Sequence, residues 1–299
     1  MKTFRFIDAI DKLEYAKWLD PLVNVVETVA KKVIRPQWIR DILHGVPQGH
    51  PLHPPLVQVP LGAWLSAGIL DALPGTQEQA KLLIGVGTIA ATPAAAAGYT
   101  DFTELHEQQK RTTIVHSALL VSTTALYAAS WWARHQGNHR RGKQLSYIGL
   151  ATAGMGGFLG GVLSFRQASG VNHTEDVFHR MSPGWHSIGR LEDFTQGKLQ
   201  KSQVGQVPVT VYRYRNGGSE SSDQILVLAD ACSHLSGPLS EGTLLDSNTD
   251  SPCVQCPWHG SVFSLRDGQV MRGPATARQP SFDTRIQNGV VEACLPGAG

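Results

Sequence analysis

The sequence predicts a multidomain protein: an N-terminal all-α transmembrane four-helix bundle followed by a C-terminal all-β domain. Three observations predict it: where the charges are missing, where the cysteines fall, and where apolar residues begin to alternate. Charged residues make up 17% of the 299 positions, against about 25% in ordinary soluble chains. The shortage is local. Between Ile42 and Phe165 only 12 of 124 positions are Asp, Glu, Lys or Arg, and all lie between four uncharged runs. All four cysteines, by contrast, follow residue 231. The net charge of +2 gives no electrostatic reason to invoke nucleic acid.

Residues 1–40 come first. Ile7, Ile10, Leu13, Tyr15, Trp18, Leu22, Val25, Val26 and Val29 recur at helical spacing, with Lys31, Lys32 and Arg35 behind them. The pattern predicts one amphipathic helix over 7–34, fit to lie on a membrane surface or to pack on the C-terminal domain. Met1–Arg5 and the charged residues that follow do not read as a signal peptide.

Residues 41–172 hold the four candidate crossings, at 55–73, 82–100, 113–133 and 145–165. About 20 apolar residues span a hydrocarbon core as helix. A soluble bundle of such helices is the competing reading, but it needs polar outer faces that uncharged helices do not supply. Gly156, Gly157, Gly160 and Gly161 give overlapping small-xxx-small spacings, which suit close helix packing. Lys and Arg divide five against five between the two sides, so the positive-inside rule does not orient the chain. The runs Gly49-His50-Pro51-Leu52-His53-Pro54-Pro55, Thr92-Pro93-Ala94-Ala95 with Gly98-Tyr99-Thr100-Asp101, and Gly157-Phe158-Leu159-Gly160-Gly161 resemble the DUF2231 family of bacterial membrane proteins. The resemblance implies a four-helix membrane domain and little about chemistry.

His53 opens the first crossing and His116 lies one turn into the third, so the two imidazoles could meet at similar depth. Three readings stay open: interfacial histidines bonded to backbone freed by the neighbouring prolines, a haem b held by two histidines, or a quinone head group near His53, His116 and Asp101. A linker, 173–183, carries His173, Glu175, Asp176 and His179, too few residues for a substrate pocket.

Residues 184–299 alternate in short runs, Val207–Tyr214, Gln224–Leu228, Val262–Leu265 and Val290–Cys294, which predict β-strands. Cys232-Ser233-His234 and Cys256-Pro257-Trp258-His259 lie among them. C-x-H followed by C-x-x-H is the ligand set in which two Cys hold one iron of a [2Fe–2S] cluster and two His the other. Zinc is the competing reading, because Cys253 and Cys256 also form a C-x-x-C pair.

The segments Cys232-Ser233-His234-Leu235-Ser236-Gly237-Pro238-Leu239 and Cys256-Pro257-Trp258-His259-Gly260-Ser261-Val262-Phe263, with Gly273-Pro274-Ala275 downstream, resemble the cluster-binding loops of Rieske ferredoxin domains. The resemblance implies Cys232, His234, Cys256 and His259 as iron ligands and Ser261 as a donor to a cluster sulfur. It makes Cys253 a small buried residue outside the ligand set. Respiratory Rieske proteins carry an extra Cys in each loop, joined as a disulfide; here those positions are Ser236–Gly237 and Trp258. Their Tyr near a cluster thiolate corresponds to Phe263. Fewer donors imply a reduction potential in the lower half of the Rieske range of about −150 to +300 mV, and the missing disulfide suits a cytoplasmic domain. Oxygenases add an iron-bearing catalytic domain after their Rieske domain; the residues after His259 contain no His at all.

The sequence therefore predicts a multi-pass protein of the cell inner membrane that carries single electrons between a redox partner, reductase or quinol, and an acceptor. It is expected to be a carrier with no catalytic residues of its own rather than a stand-alone enzyme. The alternatives are a quinol- or haem-linked oxidoreductase in which the membrane half takes part, and a redox sensor.

Overall fold

In the computed structural model, residues 7, 10–215, 223–247 and 249–297 are described; Met1–Arg5 lie outside them. The chain divides into two compact units, Met1–Leu43 with Pro51–Gly170, and His44–His50 with Val171–Gly299.

The first unit is helical. The single amphipathic helix expected over 7–34 is broken: 3-10 turns at Lys12–Tyr15 and Lys17–Leu19 precede α1, Asp20–Val33. Pro21 explains the break, because it lacks an N–H and fits only the first helical turn. Leu19 and Val23 pack against Phe102 and Ile114, while Trp18, Leu22, Val25, Val29 and Val33 stay exposed at helical spacing on α1 and the turn before it. A short α2, Gln37–His44, follows.

Four long helices then run up and down: α3 His53–Asp71, α4 Gln77–Phe102, α5 Glu107–His135 and α6 His139–Phe165. Of these, α4, α5 and α6 are long and apolar enough to cross a membrane; α3, 19 residues with Pro54, Pro55 and Pro60, is not among them. Helix α3 packs on α4 and α5 on α6, with α4 against α5 and α3 against α6 closing the bundle. That leaves α3 and α5 diagonal, so only long side chains meet across the centre.

These meetings form a series. His53 and His116 face each other with ring centroids 6.5 Å apart, and Trp64 and Tyr127 stack at 4.4 Å. Asp71 and Arg134 close the series with two hydrogen bonds of 2.8 and 2.6 Å. Members of each pair are 63 residues apart, so the bundle repeats one helical hairpin twice. The second helices obey the same rule. A Cβ at Gly98 would meet His53 at 2.9 Å and one at Gly160 would meet His116 at 3.3 Å. Gly87 stands in the same way to Trp64, and Gly149 to Tyr127.

The second unit is all-β and antiparallel. Among the described residues, ten strands form a six-stranded sheet, ordered β1-β10-β9-β4-β3-β2, and a four-stranded sheet, β5-β6-β7-β8. The first holds β1 His186–Arg190, β2 Leu199–Val204, β3 Val207–Arg215, β4 Asp223–Ala229, β9 Ser281–Gln287 and β10 Val290–Cys294. The second holds β5 Thr243–Leu245, β6 Cys253–Gln255, β7 Val262–Ser264 and β8 Val270–Arg272. Alternation along β3 supplies two cores at once. Val207, Val209 and Val211 pack with Ile225, Val227, Phe282 and Val291, joined by Val177 from the 3-10 turn Glu175–His179. Tyr212 and Tyr214 pack on the opposite face with Leu239, Val254, Phe263, Cys232 and Cys256. The cysteine loops are thereby rooted in a core.

Candidate metal centre

Two loops carry the chemistry. The first leaves β4 at Ala229 and reaches β5 at Thr243; the second is the tight connection from β6 to β7. Asp230 anchors the first. Its buried carboxylate accepts from the Thr210 hydroxyl at 2.7 Å and the Ser240 N–H at 2.7 Å, with Lys201 at 3.3 Å. Burial alone would raise this carboxyl; the hydrogen bonds outweigh it and hold Asp230 below the usual carboxylate range. Gln279 anchors the same loop from the β9 side. Its Oε1 accepts from the Ser233 N–H at 2.9 Å, and its amide donates to the carbonyls of Ala229 and Ala231.

Backbone bonds close each turn. Ser236 N–H donates to Cys232 O at 2.8 Å and Cys232 N–H to Gly237 O at 2.9 Å, with Ser236 in the left-handed region at φ 62. In the second loop Cys256 N–H donates to Ser261 O at 2.8 Å, and Gly260, at φ 76, supplies the turn. Ser261 is fully buried and its Oγ accepts from the Ala275 N–H at 2.9 Å. That bond ties the second loop to the Gly273-Pro274-Ala275 segment.

The loops bring the four expected ligands into two pairs. Cys232 and Cys256 are buried and their thiols are hydrogen-bonded to each other. The bond donated by Cys232 draws Cys256 down to about 7, against the pull of burial and with help from the N–H groups of Trp258 and His259. The same bond, with burial, pushes Cys232 up. His234 and His259 sit half-exposed, ring centroids 5.1 Å apart and nearly perpendicular. Sulfur lies inside and nitrogen toward the surface. Among the described residues no three His, Cys, Asp or Glu side chains group around one metal position; a two-iron cluster does not ask for that, because each iron takes only two protein ligands.

Gly237 leaves room between the loops. A Cβ there would lie 2.8 Å from Cys256 Sγ and 3.0 Å from the Trp258 ring. The cradle therefore needs the missing side chain, and the donor set suits a thiolate- and imidazole-bound cluster. Residues 184–283 match the Rieske [2Fe-2S] domain. A ferredoxin subunit of anthranilate 1,2-dioxygenase from Burkholderia cepacia is 32% identical over 108 residues, 36% of this chain and 89% of that protein. The chain belongs to the Rieske [2Fe-2S] family.

The Rieske protein is also similar to ferredoxin CarAc of Metapseudomonas resinovorans, 30% identical over 112 residues, 37% of this chain and 94% of the relative. Among solved structures, a chain from the complex of reduced oxygenase and oxidized ferredoxin in carbazole 1,9a-dioxygenase shares 28% identity with a TM-score of 0.31, covering 38% of this chain and 94% of that one. Residues 49–173 match the family described as a predicted membrane protein, DUF2231. This Rieske protein is therefore a fusion of the two families, in that order.

The remaining candidates are placed as follows. Cys253 is buried in β6, its thiol donating to Ser251 O at 3.4 Å, and burial pushes it up. None of the four cysteines is joined in a disulfide. Phe263 is fully buried beside Cys232 and Cys256. Trp258, 50% exposed, packs its ring against Gly237. Glu175 and His179 form an exposed pair at 3.3 Å. Asp101 lies next to the end of α4. Sequence reasoning missed Asp230 and Gln279, which shape the first loop. An Asp directly after the apolar run Ile225–Ala229 is the one signal that could have marked the first of them.

Proposed function

We propose that this protein is a membrane-anchored Rieske electron carrier, passing single electrons from a reductase or quinol to an acceptor. The observation that carries the reading is the sorting of the four ligands, Cys232 with Cys256 inside and His234 with His259 toward the surface. A bound [2Fe–2S] cluster supplies reversible one-electron chemistry. The protein supplies the rest. Iron ligation would take Cys232 and Cys256 as thiolates, and the two stand together in the buried core. The Ser261 Oγ accepts from Ala275, which leaves its own O–H to donate toward a cluster sulfur. Half-exposed imidazoles put the electron's entry and exit at the tip of the domain, where a partner can approach. The name of the ferredoxin relative suggests the kind of partner, a dioxygenase.

Three apolar helices and the DUF2231 match support the membrane anchor. The exposed apolar stripe from Trp18 to Val33 suits a helix lying in the lipid interface. Four cysteines with no disulfide among them suit a cell inner membrane location with the Rieske domain in the cytoplasm; a reporter fused to the C-terminus tests that side.

The test of the carrier reading is the EPR spectrum of the reduced, purified chain. A Rieske-type signal that His234→Ala and Cys256→Ala each abolish supports it. Stoichiometric zinc with no such signal overturns it.

A further inference from the structure

The Rieske centre makes no use of His53 and His116, although the bundle positions both with care. In each hairpin the imidazole Nδ1 lies 2.8 Å from a backbone carbonyl of the second helix, Ala94 O for His53 and Gly156 O for His116. A carbonyl only accepts, so Nδ1 carries the proton and donates, and in the neutral ring Nε2 holds the lone pair. Histidine ligands of metals are oriented in this way. Four residues beyond each carbonyl stands a glycine, Gly98 or Gly160, against which the ring rests. The same lock is built twice, on two hairpins of different sequence.

The two rings then meet across the bundle centre, on diagonal helices, with centroids 6.5 Å apart and planes at 81°. A metal–imidazole bond of about 2.0 Å, extended by roughly 1.1 Å from nitrogen to ring centre on each side, places two trans imidazoles about 6.3 Å apart. The depth also fits. At about 1.5 Å per residue and 3.6 residues per turn, His116 lies about two and a half turns into α5, about 13 Å from Glu107. Ala94 stands about 12 Å before the end of α4 by the same rise. This corrects the sequence-based placement of His116 one turn into its helix, which left out the extra length of α5 before the uncharged run. His53 opens α3 and His116 lies inside α5, level with Ala94 and Gly156 of the second helices.

We propose that the helical unit binds one haem b, its iron held between His53 and His116. Two nitrogens are the whole protein contribution that haem iron needs, since the tetrapyrrole brings four of its own. Among the described residues no third His, Cys, Asp or Glu is grouped with the pair, so a free zinc or copper ion would be held by two side chains alone. Both rings are half-buried. The proposal goes beyond the carrier reading and does not depend on it.

The experiment uses the purified full chain in detergent, titrated with ferric haemin and followed by optical and EPR spectra. The expected result is one haem per chain with a low-spin spectrum of two imidazole ligands. His53→Ala or His116→Ala removes that spectrum, and the Rieske EPR signal persists as the control for folding. His116→Met retains uptake with a changed spectrum, which keeps the test open if an alanine variant fails to fold. Three results overturn the proposal: no stoichiometric uptake by the wild-type chain, uptake that survives both alanine substitutions, or one zinc or copper per chain and no haem. None of the three touches the carrier reading, which rests on the cluster signal alone.

Discussion

The two units solve the problem of holding a reactive group in opposite ways. In the β unit the four expected ligands come from two short loops, and polar side chains that never touch a ligand, Asp230 and Gln279, hold the loops in shape. In the helical unit the paired groups lie 63 residues apart on diagonal helices, and repetition of one hairpin brings them together. Loops in a β-domain place ligands through local hydrogen bonds; a bundle places them through helix register. Damage should therefore stay local in the first and propagate along the axis in the second.

The largest expected effect lies in the bundle. Arg134 and Asp71 are 0% and 2% exposed and bonded twice to each other. Arg134→Met leaves a buried carboxylate without its partner and is expected to cost about 3–5 kcal/mol, read as a lowered unfolding midpoint in detergent. Adding Asp71→Leu should recover most of the loss. If the double variant is no better than the single one, the pair is not the unit that the repeat makes it.

Next comes Gly237→Ala. Its Cβ would collide with Cys256 Sγ and Trp258, so overpacking of about 1–3 kcal/mol is expected, with a perturbed cluster spectrum. Full stability with an unchanged spectrum would show that the loops have more slack than the geometry implies.

Asp230→Asn is a test of the loop anchor by pH. The folded carboxyl lies below its unfolded value, so its contribution is present above the unfolded pKa and is lost as pH falls through the folded one. At neutral pH the substitution should cost about 1–3 kcal/mol, and the gap between variant and wild type should close on acidification below about pH 4. A gap independent of pH would assign the effect to shape instead of charge.

The smallest effect is electronic. Phe263→Tyr places a hydroxyl beside Cys232 and Cys256 at a fully buried position. The extra donor should raise the reduction potential with little change in stability; an unchanged or lowered midpoint in a redox titration contradicts the role assigned to Phe263.

What the sequence made legible follows the same division. The two cysteine loops were readable because C-x-H and C-x-x-H are local patterns, and the structure brings their cysteines and histidines together. Strands β3, β4 and β10 were readable because Val, Ile and Leu alternate along them. Strands β2, with Gln200, Lys201 and Gln203, and β9, with Asp283 and Arg285, carry too many polar residues to show a period. The uncharged runs marked the long helices, yet the start of α1 was misplaced by weighing apolar spacing above Pro21. The hairpin repeat stayed hidden because its paired positions hold different residues, Trp64 with Tyr127 and Asp71 with Arg134. Only contact across the axis reveals them as equivalents.

The central claim is that Cys232, His234, Cys256 and His259 hold a one-electron cluster in a membrane-anchored chain. The most direct measurement is an EPR-monitored redox titration of the full chain in native membranes. The account predicts one Rieske-type signal per chain, with a midpoint in the lower half of about −150 to +300 mV, absent in His234→Ala. A signal that survives that substitution, or a midpoint in the upper half of the range, would contradict it.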